Sequence, residues 1–282
     1  VVVVGAPLDF RLGFGGFGDP AAPARVIHIA DAPQSIAQHV DVAGSVAGDL
    51  RTVLTALAKA VVEHPARRDI GEWREELRGA AAAAVERDAE LLASDADPIH
   101  PARIYGELLP RLADDAVVVG DGGDFVSFAG KYIEPARPGC WLDPGPYGCL
   151  GTGLGYAMAA RVARPDSPVV ALLGDGAAGM SLLDVDTLVR HNLPVVMIVG
   201  NNATWALEKH PMRFLYGYDV AADLLPTRYD EVVAALGGAG ETVERPADLG
   251  PALDRAFAAG VPYLVNVRTD TGVAYPRGTT GV

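Results

Sequence analysis

Cysteine is nearly absent: Cys140 and Cys149 are the only two in 282 residues, too few for a disulfide framework and without metal-ligand spacing, which fits a reducing cytosol. Basic side chains are also scarce. Lys and Arg number 23 against 36 Asp and Glu, the formal charge is −13, and no Lys/Arg cluster reverses it locally, so nucleic acid is not an expected partner. The apolar run Val1-Val2-Val3-Val4 stops at Gly5, far short of the ~20 residues of a membrane span, with no basic segment ahead of it as in a signal peptide. A soluble, cytoplasmic protein with no membrane partner is predicted. The six histidines form no HxxxH or HExxH pattern, and GxSxG and GxxxxGK[ST] do not occur, which excludes zinc-hydrolase, serine-esterase and P-loop chemistry.

Half of the residues are hydrophobic and 21% charged, with 33 Gly and 21 Pro scattered along the chain. That is the composition of a globular α/β protein of one large or two modest domains. Val1 to Val4 reads as a buried parallel strand entering a loop. Because the sequence begins inside such a strand and without Met, it is expected to be the C-terminal part of a longer chain. Residues 1–65 follow the order strand, Gly-rich loop (13–18), strand (25–29) and helix (50–62), part of a second α/β domain. Residues 66–97 form an Ala/Glu/Arg-rich linker helix. From residue 98 to 282, apolar strands at 116–120, 168–173, 194–199 and 263–267 alternate with helical stretches at 153–161, 181–190 and 247–258. Strands without in-out alternation, joined by helices, predict a parallel sheet with helices on both faces. Ser181 and Asp184 are expected to form a capping pair at the start of the 181–190 helix.

Two of these strands end in polar signals at one sheet edge. One runs into Gly174-Asp175-Gly176 and the other into Gly200-Asn201-Asn202, with Asp175 and Asn202 27 residues apart, one strand–helix–strand crossover. Ligands of open α/β sheets bind beyond the carboxyl ends of strands, so both side chains are expected in one crevice. A carboxylate and a neutral amide oxygen suit Mg²⁺, which completes its octahedron with phosphate oxygens and water, while glycines let backbone amides approach those phosphates. The pattern predicts a diphosphate–Mg²⁺ site; either motif alone would be read as a turn.

At these residues the chain resembles the thiamine diphosphate-dependent 2-oxo acid enzymes, in which GDG is followed by NN, and within them the acetolactate synthase-like branch (acetohydroxyacid synthase large subunits). The resemblance covers most of residues 98–282. It implies thiamine diphosphate as cofactor beside Gly174, Asp175, Gly176, Ala177 and Asn202, with Mg²⁺ on the side chains of Asp175 and Asn202 and the carbonyl of Thr204. In Tyr147-Gly148-Cys149-Leu150, it makes Leu150 the apolar prop that bends the cofactor and the Gly148 carbonyl the acceptor of its 4′-amino group. In Val119-Gly120-Asp121-Gly122-Gly123 it implies backbone contacts to the diphosphate from Gly122 and Gly123; Asp121 would repel that group unless it pairs elsewhere. The segments Gly5-Ala6-Pro7-Leu8-Asp9 and Ile29-Ala30-Asp31-Ala32-Pro33 look like the end of that branch's central domain; FAD, which many members bind there, is possible but unsupported.

The implied reaction is decarboxylation of a 2-oxo acid and transfer of the resulting acyl-anion equivalent to a second carbonyl. A 2-hydroxyacyl-CoA lyase or oxalyl-CoA decarboxylase, acting on an acyl-CoA, is the alternative within the family; a catalytically silent cofactor-fold module is the alternative outside it. The resemblance places no catalytic residue in this chain, since the family's Glu belongs to a separate pyrimidine-binding domain, usually met across the interface of a homodimer or tetramer. It also puts Pro211 where synthases carry a Trp that favours a larger acceptor, which implies weak preference for 2-oxobutyrate.

Overall fold

The computed structural model describes residues 1–64 and 69–275, in two compact units, Val1–Gly79 and Ala80–Pro276. In the first unit, β1 (Val2–Val4) pairs in parallel with a later strand after a two-residue hairpin of β2 (Gly18–Asp19) and β3 (Ala22–Pro23). That strand is β4 (Ile27–Ala30), and β5 (Gly44–Ala47) completes the order β1-β4-β5. The expectation of a buried first strand is corrected here: β1 is a sheet edge, and only Val3 is buried, in a small core with Leu8 and Val26. Helix α1 (Leu50–Glu63) starts where Asp49 accepts the Thr52 amide at 2.8 Å, satisfying one of the free first-turn donors. Helix α2 (Gly71–Leu92) fills most of the expected linker, the division between the units falling at Gly79 and Ala80; residues 65–68 lie outside the described residues.

In the second unit the rest of α2 is followed by α3 (Pro101–Leu108), its first turn capped by His100 Nδ1 accepting the Ala102 amide at 3.1 Å. Then follow β6 (Val117–Asp121), α4 (Asp124–Tyr132), the short β7 (Trp141–Leu142), α5 (Gly153–Ala163) and β8 (Val169–Gly174). Helices α6 (Asp175–Ser181) and α7 (Val185–Arg190) lead to β9 (Val196–Asn201). After β9 come α8 (Ala206–Tyr216), α9 (Tyr229–Ala235), β10 (Ala239–Val243), α10 (Pro246–Ala258) and β11 (Tyr263–Arg268). Six strands form one parallel sheet in the order β10-β11-β9-β8-β6-β7.

The continuous apolar strands have a direct reason. Val170, Leu172 and Ile198 pack with α3, α4 and α10 on one face, while Val169, Ala171, Leu173, Met197 and Val199 pack with α5, α7 and α9 on the other. Alternate residues thus enter different cores, so both faces of these strands are apolar; the exception is Asn266 in β11, buried but hydrogen-bonded to Asn201, Thr227 and Thr242. The predicted Ser181–Asp184 capping pair is not formed: α6 already starts at Asp175, Ser181 lies at its end, and the Ser181 hydroxyl has no hydrogen-bond partner among the described residues. The continuation of strand β8 straight into a helix overrides the local capping signal.

Candidate functional site

Strands β6, β8 and β9 are neighbours, and their carboxyl ends are in register: Asp121 lies beside Leu173, and Gly174 beside Gly200. Their following loops therefore leave the sheet together and border a cavity of about 260 Å³. The β8 loop contributes Gly174, Asp175, Gly176 and Ala177 to its wall, the β9 loop Asn202 and Thr204, the β6 loop Gly122 and Gly123, and the segment before α5 Gly148 and Leu150. All ten residues singled out in the sequence line one space.

Asp175 is the buried carboxylate at the end of β8. It is 3% exposed; its Oδ1 accepts the Gly176 amide at 2.8 Å, and its Oδ2 has no partner among the described residues. Burial pushes the carboxyl up to about 6, while the backbone amides of Gly176, Ala203 and Thr204 pull the other way. A buried carboxylate oxygen without a donor is costly unless something positive meets it. No Lys or Arg lines the cavity among the described residues, nor does any group of three His, Cys, Asp or Glu there form a protein-only metal cage. Where the β8 and β9 loops meet, the donors are the Asp175 carboxylate, the Asn202 amide and backbone oxygens, a set that fits a hard divalent cation completed by a ligand's own oxygens; the cavity's other carboxylates, Asp124 and Glu208, belong to α4 and α8.

The two asparagines of the pair differ. Asn201 is buried; its amide donates to the Thr227 carbonyl and to Asn266 Oδ1, each at 3.0 Å, and its Oδ1 accepts from Arg268 at 3.2 Å. It ties the end of β9 to β11. Asn202 is half-buried on the cavity wall, its Oδ1 accepting the Thr204 amide at 3.2 Å across Ala203, whose φ of +54° curls the loop.

Asp121 resolves its own difficulty. Fully buried, it accepts the Gly151 amide at 3.1 Å and the Gly153 amide at 2.7 Å, so it caps the start of α5 and fixes the segment that carries Gly148 and Leu150. Gly148 is left-handed at φ +62°, a conformation that disfavours a side chain. Gly176 is required by close approach: a Cβ there would come within 2.3 Å of the Trp205 ring.

Sequence reading missed Asp124, Phe125, Trp205, Leu207 and Glu208, which also line the cavity. Their signal was position alone, directly after the Gly-rich and Asn-Asn motifs. Asp124 is buried at the start of α4 and accepts the Tyr275 amide at 3.0 and 3.1 Å.

A parallel α/β sheet whose central strands end at a glycine-lined cavity with a buried, unpartnered carboxylate defines a ligand-binding domain of the strand-end type. Residues 121–267 match the family described as "Thiamine pyrophosphate enzyme, C-terminal TPP binding domain", and the chain belongs to that family. It is 53% identical over 279 residues to "Probable acetolactate synthase" of Mycobacterium bovis and to "Acetolactate synthase large subunit IlvG" of Mycobacterium tuberculosis, covering 98% of this chain and 49% of each relative. It is 40% identical over 208 residues to "2-hydroxyacyl-CoA lyase 2" of Caenorhabditis elegans, covering 71% of this chain and 31% of that protein. The fold is similar to that of a Rhodococcus jostii RHA1 thiamine diphosphate-dependent 4-hydroxybenzoylformate decarboxylase, with a TM-score of 0.74, 24% identity, and coverage of 95% of this chain and 48% of that one. The chain spans about half the length of the acetolactate synthases it matches.

Proposed function

We propose that this chain holds the diphosphate end of thiamine diphosphate through Mg²⁺, within an enzyme that decarboxylates 2-oxo acids and joins the product to a second carbonyl. The observation that carries this reading is the unpartnered Oδ2 of buried Asp175 on the wall shared with Asn202. When bound, thiamine diphosphate supplies an electron sink for carbon–carbon bond cleavage and formation. The chain's own part is placement. Asp175, the Asn202 amide and the Thr204 carbonyl would hold the cation, the side-chain-free wall of Gly122, Gly123 and Gly174 would admit the diphosphate, and Leu150 with the Gly148 carbonyl would border the organic end. Burial around Asp175 would strengthen its attraction for the cation.

Identity to acetolactate synthases supports a 2-oxo acid donor, and the likeness to a 2-hydroxyacyl-CoA lyase supports acyl-CoA cleavage as the second reading. The acid for the aminopyrimidine end, a homodimeric or tetrameric assembly and a cytoplasmic location are part of the same proposal; the free state of both cysteines supports the last. Among the described residues no helix is long and apolar enough to cross a membrane.

The test is Asp175→Ala in the complete natural polypeptide, with thiamine diphosphate binding followed by calorimetry with and without Mg²⁺. Loss of Mg²⁺-dependent binding is expected; unchanged affinity overturns the assignment. Acetolactate formed from pyruvate favours the first reading, and aldehyde released from a 2-hydroxyacyl-CoA the second. If acetolactate is formed, competition between pyruvate and 2-oxobutyrate should show little preference for the larger acceptor, because Pro211 stands in α8 where a selective Trp is absent.

A further inference from the structure

Lys209 is the only buried Lys or Arg among the described residues, 5% exposed on α8, and no cofactor role accounts for it. Its ammonium pairs with Asp223 and lies 3.9 Å from Asp219, which also pairs with Arg213 one turn further along the same helix. Both aspartates belong to the segment that follows α8, and that segment turns back onto the β9 loop. Thr204 and Asp223 form an antiparallel bridge, the Trp205 amide donates to the Ala222 carbonyl at 2.8 Å, and the Leu224 amide donates to the Ala203 carbonyl at 2.8 Å. The Thr204 hydroxyl adds a bond to the Ala222 carbonyl at 2.6 Å. Each of the two bridged segments contains one left-handed alanine, Ala203 at φ +54° and Ala221 at +55°. Such residues persist only where their surroundings hold them.

We infer that Lys209 is a positioning residue: its ion pairs pin the 219–224 strap against residues 203–205 and so hold the Asn202–Thr204 loop in the shape that receives the cation. The functional half of this inference rests on the cofactor reading above. The clamp also sets the start of α8, where the Trp205 ring lies over Gly176 and Leu207 over Gly123. Residues that orient metal ligands from behind typically change metal affinity about 10–100-fold when removed.

Lys209→Met should leave the unit folded, because Asp223 is 72% exposed at its side chain and Asp219 keeps Arg213. Two readouts separate the clamp from its consequence. In the complete polypeptide without ligand, hydrogen exchange at the Trp205 and Leu224 amides should accelerate at least tenfold relative to the amides of β8. In the complete polypeptide, Mg²⁺-dependent affinity for thiamine diphosphate should fall about 10–100-fold. Asp223→Asn should show the same pattern more weakly, and Lys209→Arg should restore much of both. Arg111→Met, which breaks ion pairs with Asp254 and Glu107 elsewhere in the unit, is the control for general destabilisation and should leave both readouts unchanged. Unaltered exchange at Trp205 and Leu224 in Lys209→Met overturns the clamp. Accelerated exchange with unchanged cofactor affinity overturns its role at the site. A wild-type protein that binds no thiamine diphosphate overturns the cofactor reading itself, and exchange alone then decides the clamp.

Discussion

Asp175 illustrates how a site residue can work against the fold that carries it. Its carboxylate is buried with one oxygen unpartnered, so in the ligand-free chain near neutral pH the charge is a net cost. Asp175→Asn keeps the shape and removes the charge. The ligand-free unit is expected to gain roughly 1–3 kcal/mol in chemical denaturation, while Mg²⁺-dependent cofactor binding is lost. Equal or lower stability would show that the carboxylate is satisfied without a cation. The neighbouring asparagines should separate in the opposite sense. Asn201→Ala removes a buried side chain that bonds Thr227, Asn266 and Arg268, and should lose about 1–3 kcal/mol in the same assay. Asn202→Ala, on the half-buried cavity wall, should change stability little and weaken cofactor binding instead. Two variants with matched losses of stability would contradict this division.

Among the elements, β10 shows how a weak strand is held by side chains. It pairs only with β11, and its sequence Ala-Gly-Glu-Thr-Val has little intrinsic preference for a strand. Glu241 accepts from Arg255 at 2.9 and 2.6 Å and from the Tyr263 hydroxyl at 2.7 Å, and this guanidinium contact holds its carboxyl below the ordinary range. Thr242 donates to Asp230 at 2.7 Å; burial pushes the Asp230 carboxyl up, but its bonds to Arg228 and Thr242 outweigh that and leave it lowered. A carboxyl held low contributes stability that is complete above its unfolded value, about pH 4–5, and is lost as pH falls through the lowered value. The amides of β10 are therefore expected to lose hydrogen-exchange protection before those of β8 and β9 on acidification; simultaneous loss would contradict it. The same strand explains the limits of legibility. β6, β8, β9 and β11 could be read from the sequence because burial on both faces demands mostly apolar residues, and the glycines and polar residues at the ends of β6, β8 and β9 marked the site. β7, β10, α3, α4, α6, α8 and α9 were not read: β7 is two residues long, β10 is held by side-chain bonds, and the five helices run only 7 to 11 residues. The missed cavity residues Asp124, Trp205 and Leu207 sit on or beside those elements.

At the scale of the molecule, the proposed site lies wholly within the unit Ala80–Pro276, on loops that leave three adjacent strands of one sheet. A ligand that bridges those loops binds the folded unit and not the unfolded chain, so it must raise the unit's stability by mass action. At a hundredfold excess over its dissociation constant the gain is about 2.7 kcal/mol, which for a unit of this size corresponds to roughly 5–11 °C in the melting temperature. Trp205 borders the cavity and Trp141 lies on β7 at the edge of the same sheet, so tryptophan emission can report the transition. Thiamine diphosphate with Mg²⁺ is expected to shift it upward, and addition of a chelator to return it to the ligand-free value. Thiamine diphosphate alone should shift it far less, because with a chain of net charge −13 and no Lys or Arg lining the cavity among the described residues, nothing but the cation offsets the diphosphate's charge. An equal shift with and without Mg²⁺ would mean that the phosphates are held by backbone amides alone, and would remove the reason for Asp175 to be buried where it is.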